Sequence, residues 1–115
     1  MTRRTERLNA QLREEISELL AREVKDPRLG GLVSVTRVEI SPDLRHARVF
    51  VSVLADEAGK GESFEALDSA APFLRRELKH RLTLRYVPEL AFRRDDSIEK
   101  GAELEELIHS LHPER

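Results

Sequence analysis

The side chains of this 115-residue sequence with types suited to catalysis or metal binding are few: His46, His80, His109, His112 and the adjacent pair Asp95-Asp96. His109 and His112 are three apart, with Glu105 one turn before His109, a spacing that puts three donors near one side of a helix. They have no Cys partner and fall in a terminal segment expected to fray, so the set makes a poor metal cage. Asp95 and Asp96 do not converge in a strand or turn; capping a following helix is the better use of them. Ser63, Ser69 and Ser97 have no evident base, and no glycine-flanked nucleophile elbow occurs. Gly59-Lys60-Gly61 lacks the Gly-x-x-x-x-Gly-Lys-Ser/Thr spacing that wraps a triphosphate and reads as a flexible connection, while Gly30-Gly31 reads as a turn. With no Cys, disulfides and thiolate chemistry are excluded. The expectation is a protein without catalytic residues, cofactor, metal or small-molecule substrate.

Positive charge is the remaining candidate for function. From Pro72 to Arg94 there are seven Lys and Arg against two Glu, a net of +5. Residues 55–71 carry −4 and residues 95–115 carry −5, so the overall −2 hides a basic block between two acidic ones. At about 100° per helical residue, Arg75, Arg76, Lys79 and His80 share one arc, away from Leu74, Leu78 and Leu82. Arg81 lies at the flank of the leucine stripe. A basic arc on a helix is the electrostatic form of a phosphate-binding surface. On charge alone, a solvated helix face is the better reading. Aromatic residues are 4% of the chain and Trp is absent, which leaves little for base-stacking platforms.

The elements that must position this arc follow from periodicity. Arg3 to Lys25 reads as a helix with the stripe Leu8, Leu12, Ile16, Leu19, Leu20 and Val24, ended by Asp26-Pro27. Leu32 to Ile40 is a strand, with Leu32, Val38 and Ile40 facing one way and Val33 and Val35 the other. Ser41-Pro42-Asp43-Leu44-Arg45 is a turn that Asp43 can close, and His46 to Leu54 is the second strand of an antiparallel hairpin. In that strand Val49, Val51 and Val53 share one face, and Phe50 and Leu54 the other. Residues 55–61 read as an acidic loop. Phe64, Leu67 and Ala71, then Leu74, Leu78 and Leu82, carry a helical stripe across Pro72. A mid-helix proline costs about 3 kcal/mol, so the expectation is two helices, the second with Pro72 in its first turn and a kink at Ala70-Ala71-Pro72. Leu90 to Arg94 is a third strand, and Ile98 to Leu111 a last acidic helix, docked or frayed. The whole is one α+β domain over residues 1–115, its three-stranded sheet covered mainly on one face. No apolar run is long enough to cross a membrane, and no signal-peptide core follows the N-terminus, so a cytoplasmic location is expected.

The run Leu84-Arg85-Tyr86-Val87-Pro88-Glu89-Leu90-Ala91-Phe92, followed by Asp95-Asp96-Ser97-Ile98, resembles the C-terminal motif of the bacterial ribosome-binding factor A family. Val24-Lys25-Asp26-Pro27-Arg28, Val35 to Asp43 and Ala47 to Val53 are similar to that family in the same order, so the resemblance spans nearly the whole chain. It implies a KH-like (type II) fold and a monomeric, non-catalytic factor that binds the small ribosomal subunit and its rRNA and assists late subunit maturation. KH domains clamp nucleotides with a Gly-x-x-Gly loop between two helices. The family has an Ala-x-Gly helix kink there, and Ala70-Ala71-Pro72 matches it here with proline for glycine. The resemblance gives Arg75, Arg76 and Lys79 rRNA phosphates to meet, with Arg45, Arg85 and Arg93 as neighbours. Arg85 and Arg93 have an alternative use as charges that discourage edge pairing. Two other readings stay open: a general single-stranded RNA or DNA binder, and a protein-interaction adaptor using the last helix.

Overall fold

The computed structural model describes residues 3–29 and 32–111. His112, Gly30 and Gly31 lie outside the described residues. In chain order the elements are α1 (Arg3–Arg22), a 3-10 turn (Pro27–Leu29), β1 (Leu32–Ile40), β2 (His46–Leu54), α2 (Glu57–Arg81), β3 (Glu89–Arg94) and α3 (Ser97–Leu111). The sheet order is β1-β2-β3, with β1 and β2 antiparallel and β2 and β3 parallel. Parallel neighbours need a long crossover, and α2 supplies it.

Both long helices cover one face of the sheet. Leu12, Ile16 and Leu19 of α1 and Leu67, Leu74 and Leu78 of α2 are fully buried against Val35, Val38, Ile40, Val49, Val51, Val53 and Phe92. The Asn9 side-chain carbonyl accepts from the Ile40 amide at 2.9 Å, pinning α1 to the end of β1. Val49, Val51 and Val53 face the core as their alternation requires, while Leu54 is exposed.

The two-faced pattern expected for β1 is corrected by a bulge. Val35 pairs with Val51 but Arg37 pairs with Phe50, so Thr36 is an extra residue in the strand. The insertion changes the parity of the alternation, and Val35, Val38 and Ile40 are all buried on the same side. The Thr36 hydroxyl lies 2.6 Å from Asp95 Oδ2 and 3.2 Å from the Phe50 carbonyl, which ties the bulge to the end of β3. Asp43 closes the hairpin turn by accepting from the Ser41 hydroxyl and the Arg45 amide.

Two expectations for the centre of the chain are also corrected. Residues 55–61 are not a flexible loop: Asp56 caps α2 by accepting from the Gly59 amide at 2.7 Å, and the helix has begun at Glu57. A Cβ on Gly59 would lie 3.0 Å from the Ala55 Cβ and 3.1 Å from the capping Oδ1, so the glycine belongs to the cap. Nor do two separate helices meet at Pro72; α2 runs through it for 25 residues. The missing Pro72 N–H leaves the Asp68 carbonyl without its helical donor, but Asp68, Ser69 and Pro72 are exposed, so water can replace it. Each buried leucine contributes roughly 1.5–3 kcal/mol. Leu67 before the proline and Leu74 and Leu78 after it must all face the sheet, and together they outweigh one lost hydrogen bond.

The last helix neither docks along its length nor frays. No residue of α3 is buried, and Leu104, Leu107, Ile108 and Leu111 are exposed. Its first turn is held by charge: buried Lys60 on α2 lies 3.0 Å from Glu99 and 3.8 Å from Asp96.

A candidate nucleic-acid interface

The second half of α2 and the segment that returns from it to β3 enclose a concavity of about 510 Å³, whose walls include Pro72, Arg75, Arg76, Lys79, Arg85 and Tyr86. No Asp or Glu among the described residues lines it. In a chain with more acidic than basic residues overall, this absence marks the groove electrostatically.

The basic block divides by what each cation touches. Arg81 donates to Glu15 at 3.0 Å and lies 3.5 Å from Glu18, joining α2 to α1. Arg94 bridges Glu57 and Asp96 at the opposite end of α2. Both are largely neutralised in place. Arg75 is half-buried and donates from Nε to the Pro88 carbonyl at 3.1 Å and from Nη2 to the Val87 carbonyl at 3.0 Å. These bonds fold residues 82–88 back onto the helix; Pro88 is fully buried beneath. Arg75 therefore builds the groove wall and keeps its charge there, since carbonyls do not neutralise a guanidinium. Arg76 and Lys79 are exposed and have no carboxylate partner among the described residues.

Arg45 joins from a distant part of the sequence. The Glu89 amide donates to the Arg45 carbonyl at 2.9 Å, so the β1–β2 turn lies beside the start of β3. The Arg45 guanidinium carbon is 5.8 Å from the centre of the Tyr86 ring, and that of Arg85 is 5.9 Å away. Arg45, Arg75, Arg76, Lys79 and Arg85 are thus brought together.

Arg93 is not. Its neighbour Phe92 points into the core, so Arg93 points to the uncovered face of the sheet, where it pairs in register with Phe50. Arg37 stacks 4.0 Å over that ring, and Glu39 binds both Arg37 and Arg48, at 3.0 and 2.9 Å. On that face Arg37 and Arg48 share one carboxylate, Glu39. Tyr86 also lines the groove, a residue that composition gives no reason to single out; the available signal is its position as the sole tyrosine, directly after Arg85.

Asp95 and Lys60 have structural partners. Asp95 accepts from the Ser97 amide at 3.0 Å, an Asx turn that leads into α3, whose cap position is Asp96. The Thr36 and Ser97 hydrogen bonds hold its carboxyl at a pKa of about 2, below the ordinary 3.8. Lys60, the cation of the Gly-Lys-Gly run, faces Glu99 rather than any groove.

A three-stranded mixed sheet with its two long helices on one face is the architecture of a small KH-like module. Comparisons with known proteins give the class its particular member. The family model described as ribosome-binding factor A matches residues 4–108, and this chain belongs to that family. The ribosome-binding factor A of Acetivibrio thermocellus is 48% identical over 106 residues, covering 92% of this chain and 86% of that protein. The Protochlamydia amoebophila protein of the same description is 47% identical over 112 residues, covering 97% and 86%. The crystal structure of ribosome-binding factor A from Thermus thermophilus superposes with a TM-score of 0.70 at 31% identity, covering 78% of this chain and 93% of that one. A Thermus thermophilus homology model fitted into a cryo-EM map of a complex of the 30S subunit with ribosome-binding factor A superposes with a TM-score of 0.64 at 31% identity, covering 80% and 96%.

Proposed function

We propose that this chain binds the small ribosomal subunit through its rRNA and assists late maturation of that subunit, acting in the cytoplasm as a single-domain monomer without catalysis. The observation that carries the reading is the groove itself: Arg76 and Lys79 are exposed and uncompensated, Arg85 and Arg45 stand beside them, and no carboxylate among the described residues lines the wall. Phosphates of a folded RNA are the ligand such a surface attracts. The family, and the fitted relative in complex with a 30S subunit, support the choice of the small subunit as the RNA. In this reading Ala70-Ala71-Pro72 takes the place of the family's Ala-x-Gly kink, and Pro72 shapes the near edge of the groove. Arg93 lies too far round the sheet to share the groove's contacts and contributes, if the RNA wraps, from the other face.

Co-sedimentation of the chain with purified small subunits, large subunits and free RNA over a range of salt concentrations tests the proposal. Preferential pelleting with small subunits, weakening steeply as salt rises, is the expected result. Equal binding to any single-stranded RNA or DNA would favour a general nucleic-acid binder. A protein-interaction role has one observation in its favour, the exposed stripe Leu104, Leu107, Ile108 and Leu111 on acidic α3. Association with little salt dependence would support that reading instead.

A further inference from the structure

Phosphates account for the cations of the groove but not for Tyr86. A tyrosine ring 60% exposed at the mouth of a groove covers no core residue of this fold. Two guanidiniums stand near it, Arg45 at 5.8 Å and Arg85 at 5.9 Å from the ring centre. At Phe50, by contrast, Arg37 sits 4.0 Å over the ring and Arg48 stands at 6.0 Å, so one guanidinium already covers that ring. At Tyr86 the guanidiniums stand off. Neither guanidinium lies at contact distance from the ring, so a base can stack on it after a small movement of a flexible arginine.

We propose that Tyr86 is a stacking platform for an unpaired nucleobase, with the adjoining phosphates of the same strand held by Arg76 and Lys79. This rests on the reading that the groove binds rRNA, and it specifies what kind: a single-stranded segment or a splayed-out base, not the shallow surface of a regular duplex. The parts supply different terms. Cations give attraction that salt screens; an aromatic face gives stacking that salt hardly affects and that any base can use. The cavity of about 510 Å³ lies within the range of about 300–1,000 Å³ common for sites that enclose small ligands, enough for one nucleotide. Arg75 acts here as a positioning residue, because its bonds to the Val87 and Pro88 carbonyls hold the segment that presents Tyr86.

The test uses the full chain against two probes, purified small subunits and a single-stranded oligoadenylate octamer, with an abasic octamer of the same backbone as control. Tyr86→Ala is expected to weaken binding to small subunits and to the octamer about tenfold at every salt concentration, leaving the slope of log affinity against log salt unchanged. Tyr86→Phe should restore what Tyr86→Ala loses, because the ring and not the hydroxyl does the stacking. The abasic octamer should bind the parent chain and Tyr86→Ala alike. Tyr86 is the only tyrosine and there is no Trp, so its fluorescence reports directly, and it should be quenched by the octamer and not by the abasic control. Unchanged affinity of Tyr86→Ala for small subunits, with a normal melting curve, would overturn the platform. If Arg76→Glu with Lys79→Glu still abolishes binding in that case, the groove stands and only the stacking fails; if neither variant changes binding, both readings fail.

Discussion

Arg75 and Arg76 are adjacent in the chain and identical in type, yet one holds the groove together and the other faces solvent. Arg75 bridges two backbone carbonyls with a forked guanidinium, a geometry that a single ammonium cannot reproduce. Arg75→Lys should therefore lower stability by about 1–2 kcal/mol, a drop of several degrees in melting temperature, although charge is conserved. Arg76→Lys should melt within a degree of the parent. Sequence could place both residues on the basic arc but could not separate them, because the partners of Arg75 lie in a segment whose path depends on how α2 and β3 pack. Asp95 gives a second check at this scale. Its carboxyl has a pKa of about 2 when folded against an ordinary 3.8, so its ionised form is preferred by the folded state. That contribution is complete above about pH 4 and is lost as pH falls toward 2. After allowance for solvent screening it amounts to about 1 kcal/mol. Asp95→Asn should consequently show a shallower loss of stability between pH 4 and pH 2 in acid melts, with the remaining slope coming from carboxylates such as Asp26 and Glu57, which are also held below their ordinary range by arginines.

At the scale of elements, strand limits, the hairpin turn and the helix stripes could be read from periodicity, and the structure differs where a local signal conflicted with packing. Gly59 and Gly61 look like loop residues because each costs a helix about 1 kcal/mol, but the Asp56 cap and the buried Lys60 keep that turn helical. Thr36 carries no sequence mark of a bulge; only pairing with β2 exposes it. Pro72 is the largest conflict, and it can be measured. In a helix that continues through the site, Pro72→Ala restores one backbone hydrogen bond and removes a ring that crowds the Asp68 carbonyl. It should stabilise the chain by about 1–3 kcal/mol in chemical denaturation. Had the chain broken into two helices with Pro72 in a first turn, the same substitution would be neutral or destabilising.

Across the whole molecule, charge is sorted rather than balanced. The groove collects cations from α2, the segment before β3 and the hairpin turn, while α3 carries Glu99, Glu103, Glu105 and Glu106 against Lys100. In the proposed reading, such sorting orients the molecule on an RNA surface with the groove inward and α3 outward. The segregation was legible from the sequence as three charge blocks, but the joining of Arg45 to the groove and the exclusion of Arg93 from it required the fold. The most direct test is co-sedimentation of the double reversal Arg76→Glu with Lys79→Glu with purified small subunits, beside the matched reversal Glu105→Lys with Glu106→Lys. Both pairs are exposed, so both variants should fold with melting curves close to the parent's. The account predicts that the groove variant no longer pellets with small subunits, whereas the α3 variant binds as well as the parent or better. Undiminished binding by the groove variant, together with loss of binding by the α3 variant, would contradict it and place the contact on α3.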